Sequence, residues 1–116
     1  MGVLNAEAYA KNRGTGWHIT NLAAESANQM LQIVEYGTMN IPAEIETGII
    51  NITTDTSSNH ASITGSTASL GNTTGVAAST INNGTSYNVA GKRAISYRGI
   101  ENPWGNIWHM IGGLLI

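Results

Sequence analysis

At 116 residues and 41% hydrophobic content, the chain has enough material for one domain with one proper core, not two. Only 10% of the residues are charged, against roughly 25% in an ordinary soluble domain, and seven acids against five bases leave a net charge of −2. That balance excludes the Lys/Arg patch a nucleic-acid partner needs; the lack of cysteine excludes disulfides, thiol chemistry and cysteine-ligated zinc; and no apolar run approaches the ~20 residues of a membrane helix.

Residues 1–20 form an opening segment. Met-Gly-Val-Leu-Asn-Ala-Glu has neither a basic head nor an apolar run, so no signal peptide is expected. Ala6 to Lys11 fits either a short strand or a helical turn, Asn12 to Gly16 is a turn cluster, and Trp17, His18 and Ile19 read as briefly extended. The main helix is predicted over residues 21–36. Thr20 or Asn21 supplies the N-cap, Glu25 suits the positive end of the helix dipole, and Gly37 stands where a C-terminal stop belongs. Ala23, Ala27, Met30, Leu31 and Val34 recur at steps of three and four, widened by Leu22 and Ile33, so a sheet or another helix is expected to cover this stripe. Pro42 closes a linker over residues 38–43, and the β-branched run from Glu46 to Thr54 predicts a strand.

Uncharged polarity takes the place of charge. Gly, Asn, Thr and Ser make up 49 of the 116 residues, types that bond their own backbone and favour turns, short strands and loops. They concentrate in residues 51–90, where they fill 26 of 40 positions and Asp55 is the only charge. This segment is either a flexible low-complexity loop or short strands joined by Gly and Asn turns. An ordered excursion is expected, with one or two hairpins, Asn83-Gly84 as a two-residue hairpin turn, and Ile63, Leu70, Val76, Ile81 and Val89 as anchors. Residues 94–98 then alternate like a strand, 99–105 form a turn and 106–110 are extended. Leu114, Leu115 and Ile116 are costly in water and are expected to be covered by this chain or by a neighbour, as possible assembly contacts.

The most informative stretch is Tyr97-Arg98-Gly99-Ile100-Glu101-Asn102-Pro103-Trp104-Gly105-Asn106-Ile107-Trp108. Gly99 and Gly105 permit backbone conformations closed to other residues, Asn102 and Asn106 can bond loop backbone, Arg98 and Glu101 can pair, and the tryptophans supply area. The plain reading is a structural corner of a small-cored domain. The stretch resembles a domain of bacteriophage tail and minor structural proteins, itself similar to the C-type lectin-like fold of formylglycine-generating enzymes. The family motif is matched by Tyr97, Arg98, Gly99, Glu101, Asn102, Trp104, Gly105, Asn106 and Trp108. Asn12-Arg13-Gly14, Gly16-Trp17, Gln29-Met30-Leu31 and Glu35-Tyr36-Gly37 are similar too. After Trp108 the family shows an acidic or aromatic run and an Asp-Gly turn, where this chain has His109 to Gly113.

The resemblance implies an α+β, C-type lectin-like fold for residues 1–116 as a single domain. The helix would pack on short antiparallel strands, with 51–90 as a polar, charge-poor insertion. It also implies a non-enzymatic tail or head component that projects from the phage particle. So weakly charged a surface suits a chain covered by copies of itself, a trimer above all, and by other virion proteins. The alternative is a module recognising a host-surface glycan or protein, with Trp17, Tyr87 and Trp104 as stacking faces.

No cofactor or metal is expected, nor an enzyme. Formylglycine chemistry needs cysteines or copper ligands that this chain lacks. His18, His60 and His109 lie far apart, without a carboxylate at metal-ligand spacing. Glu44 and Glu46 would share one face of a strand but read as two solvated acids beside a turn. Neither Gly14-Thr15-Gly16 nor Gly84 to Lys92 has the spacing of a nucleotide-binding loop.

Overall fold

Asn21 and Gly37 bound the longest helix for the reasons the sequence gives. Asn21 is extended and its side-chain oxygen accepts the Ala24 N–H at 2.8 Å, while Gly37, at φ 66°, adopts the left-handed conformation that ends a helix and donates to the Ile33 carbonyl. The computed structural model describes residues 2–51, 61–82 and 84–113, in which three helices and short antiparallel sheets make an α+β chain. These residues gather into two units, Met1–Met39 with Trp108–Ile116, and Asn40–Ile107. No helix is long and apolar enough to cross a membrane among the described residues.

The first unit holds α1 (Val3–Lys11) and α2 (Leu22–Tyr36). The sequence left α1 open between strand and helical turn; it is a helix, with Glu7 and Lys11 paired at 3.1 Å one turn apart. The start of α2 is tied to the C-terminal segment: Gly112 N–H donates to Thr20 O at 2.8 Å and Leu22 N–H returns to Gly112 O at 3.3 Å. Among the described residues nothing covers the apolar stripe as expected. Met30, Leu31 and Val34 are 60%, 63% and 82% exposed, whereas Gln32 is the buried residue of the helix.

The second unit carries the core. A short helix, α3 (Ile41–Glu44), starts behind Asn40 with Pro42 in its first turn, so Pro42 opens a helix rather than closing a linker. Five strands follow: β1 (Gly75–Ala77), β2 (Ser79–Thr80), β3 (Ser86–Tyr87), β4 (Ala94–Tyr97) and β5 (Ile100–Glu101). They form a three-stranded sheet in the order β1-β4-β5 and a β2-β3 hairpin. Central β4 is buried along its whole length, and the buried apolar residues among those described are Ile41, Ile49, Ile81, Ala94, Ile95 and Tyr97.

Hydroxyls share this interior. Ser79 and Ser96 are almost fully buried; Ser79 Oγ donates to the Lys92 carbonyl, and Ser96 Oγ donates to the Thr73 carbonyl at 2.9 Å. The Ser/Thr-rich segment is therefore partly interior: Thr67 is buried too, and its hydroxyl donates to the Glu101 carboxylate, so these buried hydroxyls have partners. Of its expected apolar anchors, Ile81 is buried, Leu70 and Val76 are half-buried, and Ile63 and Val89 are exposed.

Two sequence expectations fail for tertiary reasons. Residues 46–51 form no strand: Gly48 turns the chain at φ 74°, and the Ile50 and Asn51 amides both donate to Gly91 O rather than to a ladder. The rest of that expected strand, 52–54, lies outside the described residues, as do Asp55, His60 and Asn83. The β2-β3 loop is closed by Ile81 N–H on Thr85 O and Gly84 N–H on Ile81 O, with Gly84 at φ 86°. The hairpin is present, but the connection between Ile81 and Thr85 is three residues long rather than two, a geometry that needs a left-handed residue at its end.

Candidate functional site

The corner begins with a tight turn. Arg98 and Gly99 have φ of 49° and 87°, so a two-residue loop joins β4 to β5 with both central residues left-handed, the hairpin geometry that matches strand twist. The Arg98 N–H donates to Thr74 Oγ1 at 3.1 Å and the Gly99 N–H to Ser96 Oγ at 3.1 Å. The expected turn over 99–105 thus starts one residue earlier and contains β5.

Beyond β5 the side chains act as substitutes for backbone. Asn102 is 5% exposed at φ 46°. Its N–H donates to Ile95 O at 2.8 Å, and its side-chain Oδ1 accepts the Ile95 N–H at 3.1 Å. A strand residue would have offered its own carbonyl; here the chain has turned away and the amide oxygen replaces it. Glu101 reaches the preceding loop, where Oε1 accepts from Gly65 N–H at 2.9 Å and Oε2 accepts from the Thr67 N–H and hydroxyl at 2.8 Å each. Both of its oxygens are thus engaged by residues 65–67. We expect Glu101→Gln to cost about 2 kcal/mol, because the amide keeps one acceptor and turns an NH2 toward backbone donors. Urea denaturation of the two proteins measures it.

Trp104, Gly105 and Asn106 fasten residues 46–51. The Trp104 indole N–H donates to Glu46 O at 3.2 Å, Asn106 N–H donates to Ile49 O at 2.9 Å, and Asn106 Oδ1 accepts the Ser62 N–H at 2.9 Å. Trp108 does not belong to this corner: it falls in the first unit and is 99% exposed.

Glu46, expected as a solvated acid, is the nearby charged anchor. Its carboxylate pairs with the Arg93 guanidinium and also accepts from Gly91 N–H and the Thr47 hydroxyl, with the Glu46 side chain 10% exposed. Burial alone would raise the carboxyl, but Arg93, together with the Gly91 and Thr47 hydrogen bonds, holds it below the usual carboxylate range. The linkage sign follows. The contribution is complete above the unfolded carboxylate value of about 4.3 and is lost as pH falls through the lower folded value. Glu46→Gln should therefore flatten the fall of stability below about pH 4.3, read from denaturation midpoints across an acid series.

No protein-family model, curated protein or solved structure matches this chain. In the corner, Glu101, Asn102, Trp104 and Asn106 each bond backbone through a side chain.

Of the three expected stacking residues, Tyr87 and Trp104 belong to the second unit and Trp17 to the first. Tyr87 on β3 is half-buried with Lys92 Nζ 4.9 Å from its ring centre, and Trp104 is half-buried with its N–H bonded. Trp17 belongs to the first unit and is 60% exposed, with Arg13 6.0 Å from its ring centre. Among the described residues no three His, Asp or Glu side chains come together as a metal site. Leu114, Leu115 and Ile116 lie outside the described residues. Spacing gave no signal for Glu46, Arg93, Thr67 or Ser79, whose partners are 13 to 47 residues away.

Proposed function

We propose that this chain is a non-enzymatic structural component of a phage particle, a C-type lectin-like tail or head appendage that assembles with copies of itself and with other virion proteins. The observation that carries the assembly reading is where apolar surface lies. Of the large hydrophobic residues exposed, most, among them Leu4, Leu31, Val34, Met39 and Trp108, are in the first unit and a few, such as Ile50 and Ile107, in the second, while the buried hydrophobic residues among those described are all in the second. Exposed apolar area on that scale marks an interaction surface. The phage context rests on the Tyr97–Trp108 resemblance. Light scattering on the eluting full chain tests the assembly: a defined multiple of 12.2 kDa is expected, and a single-chain mass at high concentration overturns it.

The exposed face of Trp17 favours a second reading, attachment to a host-surface glycan. Binding to envelope polysaccharide that Trp17→Ala abolishes would support it, and equal binding by both proteins would remove Trp17 from it.

A further inference from the structure

We infer that the turn after α1 holds an acidic sugar, its ring stacked on Trp17 and its acid group on Arg13. This rests on the glycan reading of Trp17 above and names the class of saccharide. In the turn, the Gly14 N–H donates to Lys11 O at 3.1 Å and the Trp17 N–H donates to Gly14 O at 3.2 Å. A β-carbon on Gly14 would stand 3.7 Å from Trp17 Cδ1, so the indole lies close against the glycine. The ring is seated on the turn and still 60% exposed. Arg13, exposed as well, has its guanidinium carbon 6.0 Å from the ring centre.

The cations of the chain point to an acid. Of the five bases, Lys11 pairs with Glu7, Arg93 pairs with Glu46, and Arg98 has interactions of its own. Arg13 and Lys92 have no carboxylate partner among the described residues, and each stands against an aromatic ring. Lys92 and Tyr87 are both half-buried, so the pair that offers an open ring and an open cation is Trp17 with Arg13. Residues 8–24 contain no acidic side chain, so nothing in this stretch repels an anion.

The two groups ask for different parts of one ligand. A pyranose lays its C–H face on an indole, and the guanidinium fork takes two oxygens of a carboxylate or a phosphate. At 6.0 Å the guanidinium is at the outer limit of a cation–π contact, not closed down on the ring, so an acid group on the edge of a stacked sugar meets it. Asn12, Thr15 and His18 are exposed beside Trp17 in the same turn and supply polar groups for sugar hydroxyls. His18 Nδ1 donates to Ile19 O at 2.8 Å, which leaves Nε2 to accept from such a hydroxyl.

Retention of the full chain on immobilised polygalacturonate and phosphomannan tests this, with neutral galactan and mannan alongside and Arg13→Gln, Trp17→Ala and Lys92→Gln as variants. The net charge of −2 repels polyanions in general, so retention reports a local site. The unaltered chain should prefer an acidic polymer to its neutral counterpart, and the polymer held shows whether the acid is carboxylate or phosphate. Arg13→Gln should weaken that binding about tenfold, Trp17→Ala should abolish it, and Lys92→Gln should leave it unchanged. Arg13 and Trp17 are exposed, so circular dichroism of their variants should match the unaltered chain. Equal retention on acidic and neutral polymers, lost with Trp17→Ala, overturns the acidic sugar and leaves the glycan reading standing. Acidic binding that survives Arg13→Gln or Trp17→Ala, or that Lys92→Gln removes, overturns the site. Retention on no polymer overturns both, whether or not phosphatidylserine vesicles bind in their place.

Discussion

Gly105→Ala is expected to destabilise the fold by about 3–5 kcal/mol, whereas Gly84→Ala should cost about 1–2 kcal/mol. Both glycines have positive φ, 73° and 86°, so the left-handed penalty of a side chain is common to the two. Their surroundings differ. A β-carbon at Gly105 would stand 3.0 Å from the Ile49 carbonyl oxygen and 3.1 Å from its nitrogen, while one at Gly84 meets nothing within 4 Å. The atoms at Gly105 are backbone, and Ile49 is 4% exposed, so no flexible side chain can swing away. Relief would require residues 46–51 to withdraw, breaking the Asn106 to Ile49 hydrogen bond and the Trp104 to Glu46 bond with it. Urea denaturation of the three proteins compares the two effects. Equal losses at the two sites would mean that Ile49 does not lie against Gly105.

Much of the local structure was legible because it depends on local chemistry. Asn21 and Gly37 announce the ends of α2, Gly84 announces the β2-β3 hairpin, and residues 94–98 read as a strand where β4 lies, although β4 is buried throughout rather than on one face. What escaped the sequence was decided by contacts far along the chain. The β-branched run after Glu46 has strand propensity, but Gly48, Gly91 and the Trp104–Asn106 segment bind its backbone in another shape. Nothing in the spacing of Glu101 shows that residues 65–67 offer its carboxylate three donors at once. The stripe on α2 was legible as a stripe, but its periodicity does not say whether the cover is the same chain or another. In the corner, the glycines and asparagines could be read as backbone-shaping residues. The exchange between Asn102 and Ile95 could not, because it depends on the register between β4 and β5.

That exchange sets the second large effect. Asn102→Ala should cost about 3–4 kcal/mol and Asn102→Gly about 2 kcal/mol. Two separate properties of asparagine are in use. It tolerates left-handed backbone, which the residue holds at φ 46°, and its Oδ1 accepts the N–H of Ile95, a residue with no exposed surface. Glycine keeps the first property and loses the second, so its cost isolates the buried donor left without an acceptor. Alanine loses both, and the difference between the two variants gives the conformational part. The damage should reach β4, because Ile95 sits at the centre of the β1-β4-β5 sheet with Val76 opposite. Amide exchange at Ile95 is the local readout: it should rise in both variants, by more than global destabilisation alone accounts for. Protection of Ile95 equal to that of the unaltered chain in Asn102→Gly would mean that the side-chain amide is not its acceptor. The corner would then be held by the Asn102 N–H and the Glu101 carboxylate, with asparagine serving only to turn the chain.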